Sequence, residues 1–186
     1  MDRRPHKIKI VFQNINSWNN KQNALKQHYE EISPDIILFA HTNIYPPLRP
    51  IKFHPYITYM HNTATIYSGV AILIKPDIKH SKITHKFTGD TIAIQIETSL
   101  GPIIVATHYS PPSRGYIPIS DLNWLSRHRT PTYLLADLNA HHTTFDTTTN
   151  DYGKVLYNEW LQRGHLKRIG PPRGTFLNHR GTLTKP

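Results

Sequence analysis

The sequence contains no cysteine. That excludes disulfides, thiolate metal sites and a cysteine nucleophile, and it fits a reducing compartment. Acidic residues are scarce: 12 Asp and Glu stand against 22 Lys and Arg, for a formal charge of +10. An excess of this sign points to a polyanionic partner, nucleic acid before an anionic membrane. Long apolar runs are missing too, and none approaches the ~20 residues that a spanning helix needs. The opening "MDRRPHKIKI" has no apolar h-region, so no secretory signal is expected, and its basic residues are too sparse to read as a nuclear address. No internal repeat or low-complexity linker divides the chain, which reads as one domain over 1–186. Hydrophobic residues make up 38%, enough for a core.

Strand signals dominate what is present. "KIKIVFQNI" (Lys7 to Ile15) predicts a strand ending on Asn14, and "WNNKQNALKQHYEEI" (Trp18 to Ile32) a helix with Ala24, Leu25, Tyr29 and Ile32 near helical spacing. Pro34 disfavours helix at Ser33, and "DIILFA" (Asp35 to Ala40) follows as a buried strand running into His41. After a proline-rich loop, strands are expected over Tyr56 to Met60, Ser68 to Lys75, Asp90 to Thr98 and Gly101 to Tyr109. The last two are joined by the hairpin signal "SLG". "ISDLNWLSR" (Ile119 to Arg127) predicts a short helix with Ser120 as its N-cap. Tyr133 to Ala136 reads as a buried strand, Asn150 to Gly164 as a helix stopped by glycine, and Thr175 to Leu177 as a short strand. Many strands, interspersed helices and central hairpins predict two sheet layers with helices outside.

The strands end alike. Asn14 closes the first, Tyr109 closes a central one, and Asp137 and Asn139 follow "YLLA" in "LLADLNAHH". Each residue by itself has a duller reading: Asn14 and Asp137 suit turns at strand ends, and Tyr109 suits a rim aromatic with a wet hydroxyl. If the ends meet at one rim, they form a carboxylate, amide and phenol set suited to phosphoryl chemistry. The carboxylate accepts a proton from water, the amides and phenol hold phosphate oxygens, and a divalent ion stabilises the developing charge. Asn150, Asp151 and "TTFDTTTN" read as a solvated loop. His142, more than its neighbour His141, is expected to position the Asp137–Asn139 turn. Trp124 and Trp160 read as core residues, and Trp18 suits either a core or an exposed role.

In order along the chain, "IVFQNI", "PDIILFA", "SGVAILIK", "VATHYSPP", "LLADLNAHH" and "GTFLNHRG" resemble the endonuclease/exonuclease/phosphatase superfamily. They are most similar to the apurinic-like endonuclease domain of non-LTR, LINE-type retrotransposons. Single motifs are weak, but six in order over nearly the whole chain are strong. The resemblance implies an α/β (α+β) fold of DNase-like type, a four-layer α/β sandwich of two mostly antiparallel sheets flanked by helices. It implies a DNA endonuclease that nicks its target by phosphodiester hydrolysis with Mg²⁺ or Mn²⁺. It also implies a monomeric domain with DNA as partner, no membrane association, fusion in the family to a reverse transcriptase, and a nuclear location.

By motif match, Asn14 would lie beside metal and phosphate, Tyr109 would contact the phosphate or leaving group, Asp137 would orient or deprotonate water, and Asn139 would hold a phosphate oxygen. Thr175 matches a phosphate-contacting threonine, and Arg114 is placed by position and charge for a groove or phosphate contact. His142 joins these two as a substrate-side residue.

The sequence departs from the family twice. Where the family carries a metal-binding glutamate, this chain has Ala40 and His41. His41 reads either as a metal ligand or as a rim histidine, and imidazole is a poor ligand for Mg²⁺. The family also continues past "KP" with an aspartate-bearing strand and a Ser-Asp-His motif, so the resemblance implies a domain incomplete at its C-terminus and lacking its last strands. An alternative is therefore a catalytically inactive remnant that binds nucleic acid through its basic surface. A small-molecule or lipid phosphoesterase of the same superfamily fits the basic balance and "NAHH" less well.

Overall fold

In a computed structural model, the structure describes residues 7–44, 50–61, 67–114, 117–170, 176–177 and 183–184. Two four-stranded sheets face one another. The first has the order β1-β2-β4-β3, from β1 (Ile10–Asn14), β2 (Ile36–Ala40), β3 (Ile57–His61) and β4 (Val70–Ile74). The second has the order β5-β6-β7-β8, from β5 (His80–Lys82), β6 (Asp90–Thr98), β7 (Gly101–Tyr109) and β8 (Thr132–Asp137). Each sheet mixes one parallel pair, β1 with β2 and β7 with β8, with antiparallel pairings elsewhere. A separate short pair joins β9 (Phe176–Leu177) to β10 (Leu183–Thr184).

Burial explains the layering. Every residue of "IILFA" in β2 and "VAILI" in β4 is buried, as expected of central strands covered on both faces. Ile36, Leu38, Ile72 and Ile74 point inward to meet Ile92, Ile94, Ile96 and Val105 of the facing sheet. Ile37, Phe39, Ala71 and Leu73 point outward against Leu25 and Tyr29 of α1 (Gln22–Ile32). On the far side, Ala93, Ile104 and Ala106 pack with Leu125 of α2 (Ile119–Arg127), and α3 (Asp151–Leu156) adds Tyr152 and Leu156 beside Ile117 and Leu122. The result is helix, sheet, sheet, helix: the four-layer sandwich that the resemblance implies. No helix among the described residues is long and apolar enough to cross a membrane.

The differences from the sequence reading have local causes. The first helix starts at Gln22, not Trp18. Trp18 is instead a core residue, 4% exposed, with its ring 5.9 Å from Phe39. The strand expected over Tyr56 to Met60 sits one residue later, and β5 went unread because three residues carry no periodicity. Ser120 is not the N-cap of α2. Pro118 precedes the helix, and Ser120 lies in its first turn beside Asp121. The helix expected to Gly164 is α-helical only to Leu156 and continues as a π-helix over Tyr157–Leu161, with Gly164 left-handed behind it.

The N-terminus of α2 is fastened by a buried carboxylate. Asp121 is fully buried and accepts from the N–H groups of Thr88 and Gly89 and from the hydroxyls of Thr88 and Thr91. Burial pushes its carboxyl up, but those four bonds outweigh it and hold the pKa below the ordinary carboxylate value. A depressed pKa contributes stability that is present above the unfolded value and lost as pH falls through the folded one. Asp121→Asn is therefore expected to lower stability at pH 7 by ~1–3 kcal/mol. Urea midpoints from pH 7 down to pH 2 should show the wild type losing its advantage below about pH 4, where the carboxylate protonates.

Candidate active site

The parallel pairs set the site. Register aligns Asn14 with Ala40 at the end of β1 and β2, and Tyr109 with Asp137 at the end of β7 and β8. Packing the sheets face to face brings these two ends to one rim. Asn14 Nδ2 donates to Asp137 Oδ2 at 2.7 Å, a bond between residues of different sheets. The second carboxylate oxygen, Oδ1, accepts from the Asn139 N–H at 3.1 Å. Both oxygens of Asp137 are thus oriented by neutral amide donors. Asn139 Nδ2 donates to Ser110 O at 2.8 Å, while the Ser110 N–H donates to Asp137 O at 2.9 Å.

His41 and Tyr109 form the floor. Their rings stack at 4.8 Å with 14° between planes, and Tyr109 Oη lies 3.2 Å from His41 Nδ1. Burial pushes the His41 pKa down; Asp137 pulls it up and Lys21 pushes it down, and the net shift is downward, so the ring is neutral near pH 7. Its Nε2 is buried without a partner among the described residues. Backbone conformation contributes to this shape. Asn16, His41, Asn43 and Asn139 all adopt the left-handed region, with φ of 44°, 57°, 52° and 47°. Asn tolerates that conformation, but for His41 it is strain of ~1–3 kcal/mol.

Asn14, His41, Tyr109, Asp137 and Asn139 therefore come together at one rim. His142 lies to the side. Its ring stacks on Tyr157 at 4.2 Å, and its Nδ1 is 2.9 Å from Thr144 Oγ1. The backbone of Arg114 ends the 3₁₀ turn Pro112–Arg114, just beyond Ser110. Thr175 lies outside the described residues.

Sequence reasoning missed the residues that hold the turn. Asn150, read as part of a solvated loop, is the N-cap of α3 and binds its Gly153 N–H at 2.8 Å. The same Oδ1 accepts from His141 N, and Asn150 Nδ2 donates to Asn139 O at 2.7 Å. So Asn150 holds the segment from Asn139 to His141, the job expected of His142, while His141 pairs with Asp146. Gly153 lets the helix approach: a β-carbon there would overlap the carbonyl oxygen of His141. The available signal was Asn150 three residues before Gly153 at the start of an apolar helix, an N-cap spacing.

The molecule is a mixed-sheet sandwich with a carboxylate, two amides, a phenol and an imidazole at its strand ends, and comparison identifies its class. The model of the Endonuclease/Exonuclease/phosphatase family matches residues 11–183. The chain belongs to that family, which generally uses divalent metals. No curated protein sequence matches it. Among solved structures it is similar to the endonuclease domain of TRAS1, a telomere-specific non-LTR retrotransposon, at 15% identity and a TM-score of 0.64, over 87% of this chain and 73% of that one. It is also similar to the human Nocturnin catalytic domain with bound sulfate, at 16% identity and a TM-score of 0.57, over 95% of this chain and 79% of that one. At such identities the likeness shows the DNase-like fold.

Gly153→Ala is expected to drive α3 off the turn at a cost of at least ~1–3 kcal/mol. Asn150→Ala should cost ~1 kcal/mol. Thermal melts would give the losses, and the ring resonances of His141 and His142 would report the displaced turn.

Proposed function

We propose that the chain is a metal-dependent DNA endonuclease domain of retroelement type, which nicks target DNA in the nucleus by hydrolysing a phosphodiester. The observation that carries this reading is the rim itself: Asp137 oriented by Asn14 and Asn139, with Tyr109 and His41 beside them. The basic balance of the chain favours nucleic acid over a small phosphoester.

The residues divide the work by chemistry. Asp137 is a rim carboxylate able to take a proton from an attacking water, and its two amide donors fix the direction of its lone pairs. Asn14 and Asn139 each carry a second N–H on Nδ2 beyond the one already bonded, available to a phosphate oxygen. Tyr109 Oη, held by His41, is placed to contact a departing or non-bridging oxygen. Arg114 and His142 serve the flanking DNA, and Thr175 is assigned a phosphate contact.

No group of three or more His, Cys, Asp and Glu side chains able to hold an ion occurs among the described residues. An ion at this rim would be held by the Asp137 carboxylate, the Asn14 amide oxygen and the buried Nε2 of His41. A mixed oxygen and nitrogen set fits Mn²⁺ better than Mg²⁺, which takes oxygen. Bound there, a divalent cation would neutralise charge developing on the phosphate.

The lack of a group of three or more ion-holding side chains among the described residues also favours a second reading, a basic domain that binds DNA without cutting it. A plasmid-nicking assay separates the two. The endonuclease reading expects nicking, faster with Mn²⁺ than with Mg²⁺. It should fall ~10²–10⁴-fold in Asp137→Ala and stay unchanged in Glu97→Gln, a change at the opposite end of β6. Retarded plasmid mobility with no nicking under either ion would replace it with the binding reading.

A further inference from the structure

A file of buried polar groups runs from α2 to the rim. Asp121, Thr91, His108 and Ser110 are 0%, 1%, 0% and 0% exposed. Thr91 Oγ1 lies 2.7 Å from Asp121 Oδ2 and 2.8 Å from His108 Nδ1, and His108 Nε2 lies 2.7 Å from Ser110 Oγ. Apolar side chains could fill such sites, and a polar set is costly to bury unless every member is satisfied.

Counting hydrogens fixes the direction. A hydroxyl has one proton, and Thr91 donates it to the carboxylate of Asp121. Thr91 Oγ1 must then accept from His108, so Nδ1 of His108 carries a proton. The other ring nitrogen, Nε2, bonds Ser110 Oγ and accepts its hydroxyl whenever the ring is neutral. Asp121, itself held by three further donors on Thr88 and Gly89, thereby fixes a proton on His108 Nδ1 and the orientation of the ring that bonds Ser110.

Ser110 is where the file meets the site. Its N–H donates to Asp137 O, its carbonyl accepts Asn139 Nδ2, and Tyr109 is its chain neighbour. We infer that Asp121, Thr91 and His108 are positioning residues: a buried hydrogen-bond chain that sets Ser110 and, through it, the places of Asp137, Asn139 and Tyr109 at the rim. None of the three would touch the substrate. The inference rests on the reading of the rim as an active site, and its test includes a measurement that needs no reaction.

Thr91→Val removes the hydroxyl and keeps the shape; Thr91→Ser keeps the hydroxyl. The side-chain amide resonances of Asn139, assigned by their loss in Asn139→Ala, report its bond to Ser110. They are expected to move in Thr91→Val and to stay in Thr91→Ser. For nicking, kcat should fall about tenfold to a hundredfold in Thr91→Val with KM within about twofold, and recover in Thr91→Ser. Ser110→Ala, a smaller change at the rim end of the chain, should move the same resonances and decides the matter if Thr91→Val does not fold. Asn139 resonances unmoved in the folded variants, or equally displaced by Thr91→Ser, would overturn the positioning chain. A wild type that never nicks DNA, with the resonances moving as expected, would overturn the endonuclease reading and leave the chain standing.

Discussion

The hydrogen bond from Asn14 Nδ2 to Asp137 Oδ2 joins the last residue of an edge strand in one sheet to the last residue of an edge strand in the other. Residues 123 apart in sequence meet there. The contact exists only if both sheets have the right register, and if the apolar layer of Ile36, Leu38, Ile72, Ile94 and Ile96 sets their spacing. A one-residue slip in β1 or β8 would turn either side chain to the opposite face. The core therefore supplies position, and the rim carries the polar groups that it places.

The arrangement of parallel pairs explains why the chemistry collects at this end. A parallel pair needs a crossover, and the chain makes one through α1 and another through α2. Two strands that run the same way finish at the same edge, so each pair delivers two strand ends together. Antiparallel neighbours would alternate ends and turns. Because the pairs β1–β2 and β7–β8 face each other, four strand ends converge, and the left-handed residues His41 and Asn139 turn the chain away immediately after them. Those turns leave polar backbone that is stitched rather than wasted: Ile15 N–H to Ala40 O, Ser17 N–H to His41 O, and Ser110 N–H to Asp137 O.

What could be read from the sequence follows from what pattern can encode. The alternation of Ile92, Ile94 and Ile96 is a period of two, and the structure buries all three toward the other sheet. "IILFA" has no alternation and proved to be covered on both faces. Asn14, Tyr109, Asp137 and Asn139 were visible because each stands at or just past the polar end of a strand pattern. Four kinds of feature were not visible. The start of α1 was misplaced because Trp18 is apolar at helical spacing, although it packs on Phe39 from a turn. The π-helix after Leu156 has no sequence period of its own. The role of Asn150 was hidden because its neighbours are exposed threonines, and the clamp it forms closes on residues 9 and 11 positions away. The Asp121, Thr91 and His108 contacts span 30 and 17 positions, beyond any local pattern.

Asp137 meets amides at the rim, not a cluster of three or more ion-holding side chains among the described residues, and that has two opposing electrostatic consequences. A strongly acidic cluster attracts an ion but repels the phosphate that the ion must meet. Asp137 bonded to amides, in a chain of charge +10, leaves little to repel a polyanion. Affinity for an ion would be correspondingly weaker, and more of it would come from His41, whose neutral imidazole adds a lone pair without adding charge. The hydrogen bond that Tyr109 shares with His41 Nδ1 bears on this balance. If Nδ1 donates to the phenol oxygen, Nε2 is left as the lone pair; if the phenol donates, Nε2 carries the proton and cannot ligate. The position of that one proton thus decides whether His41 presents a lone pair or an N–H at Nε2.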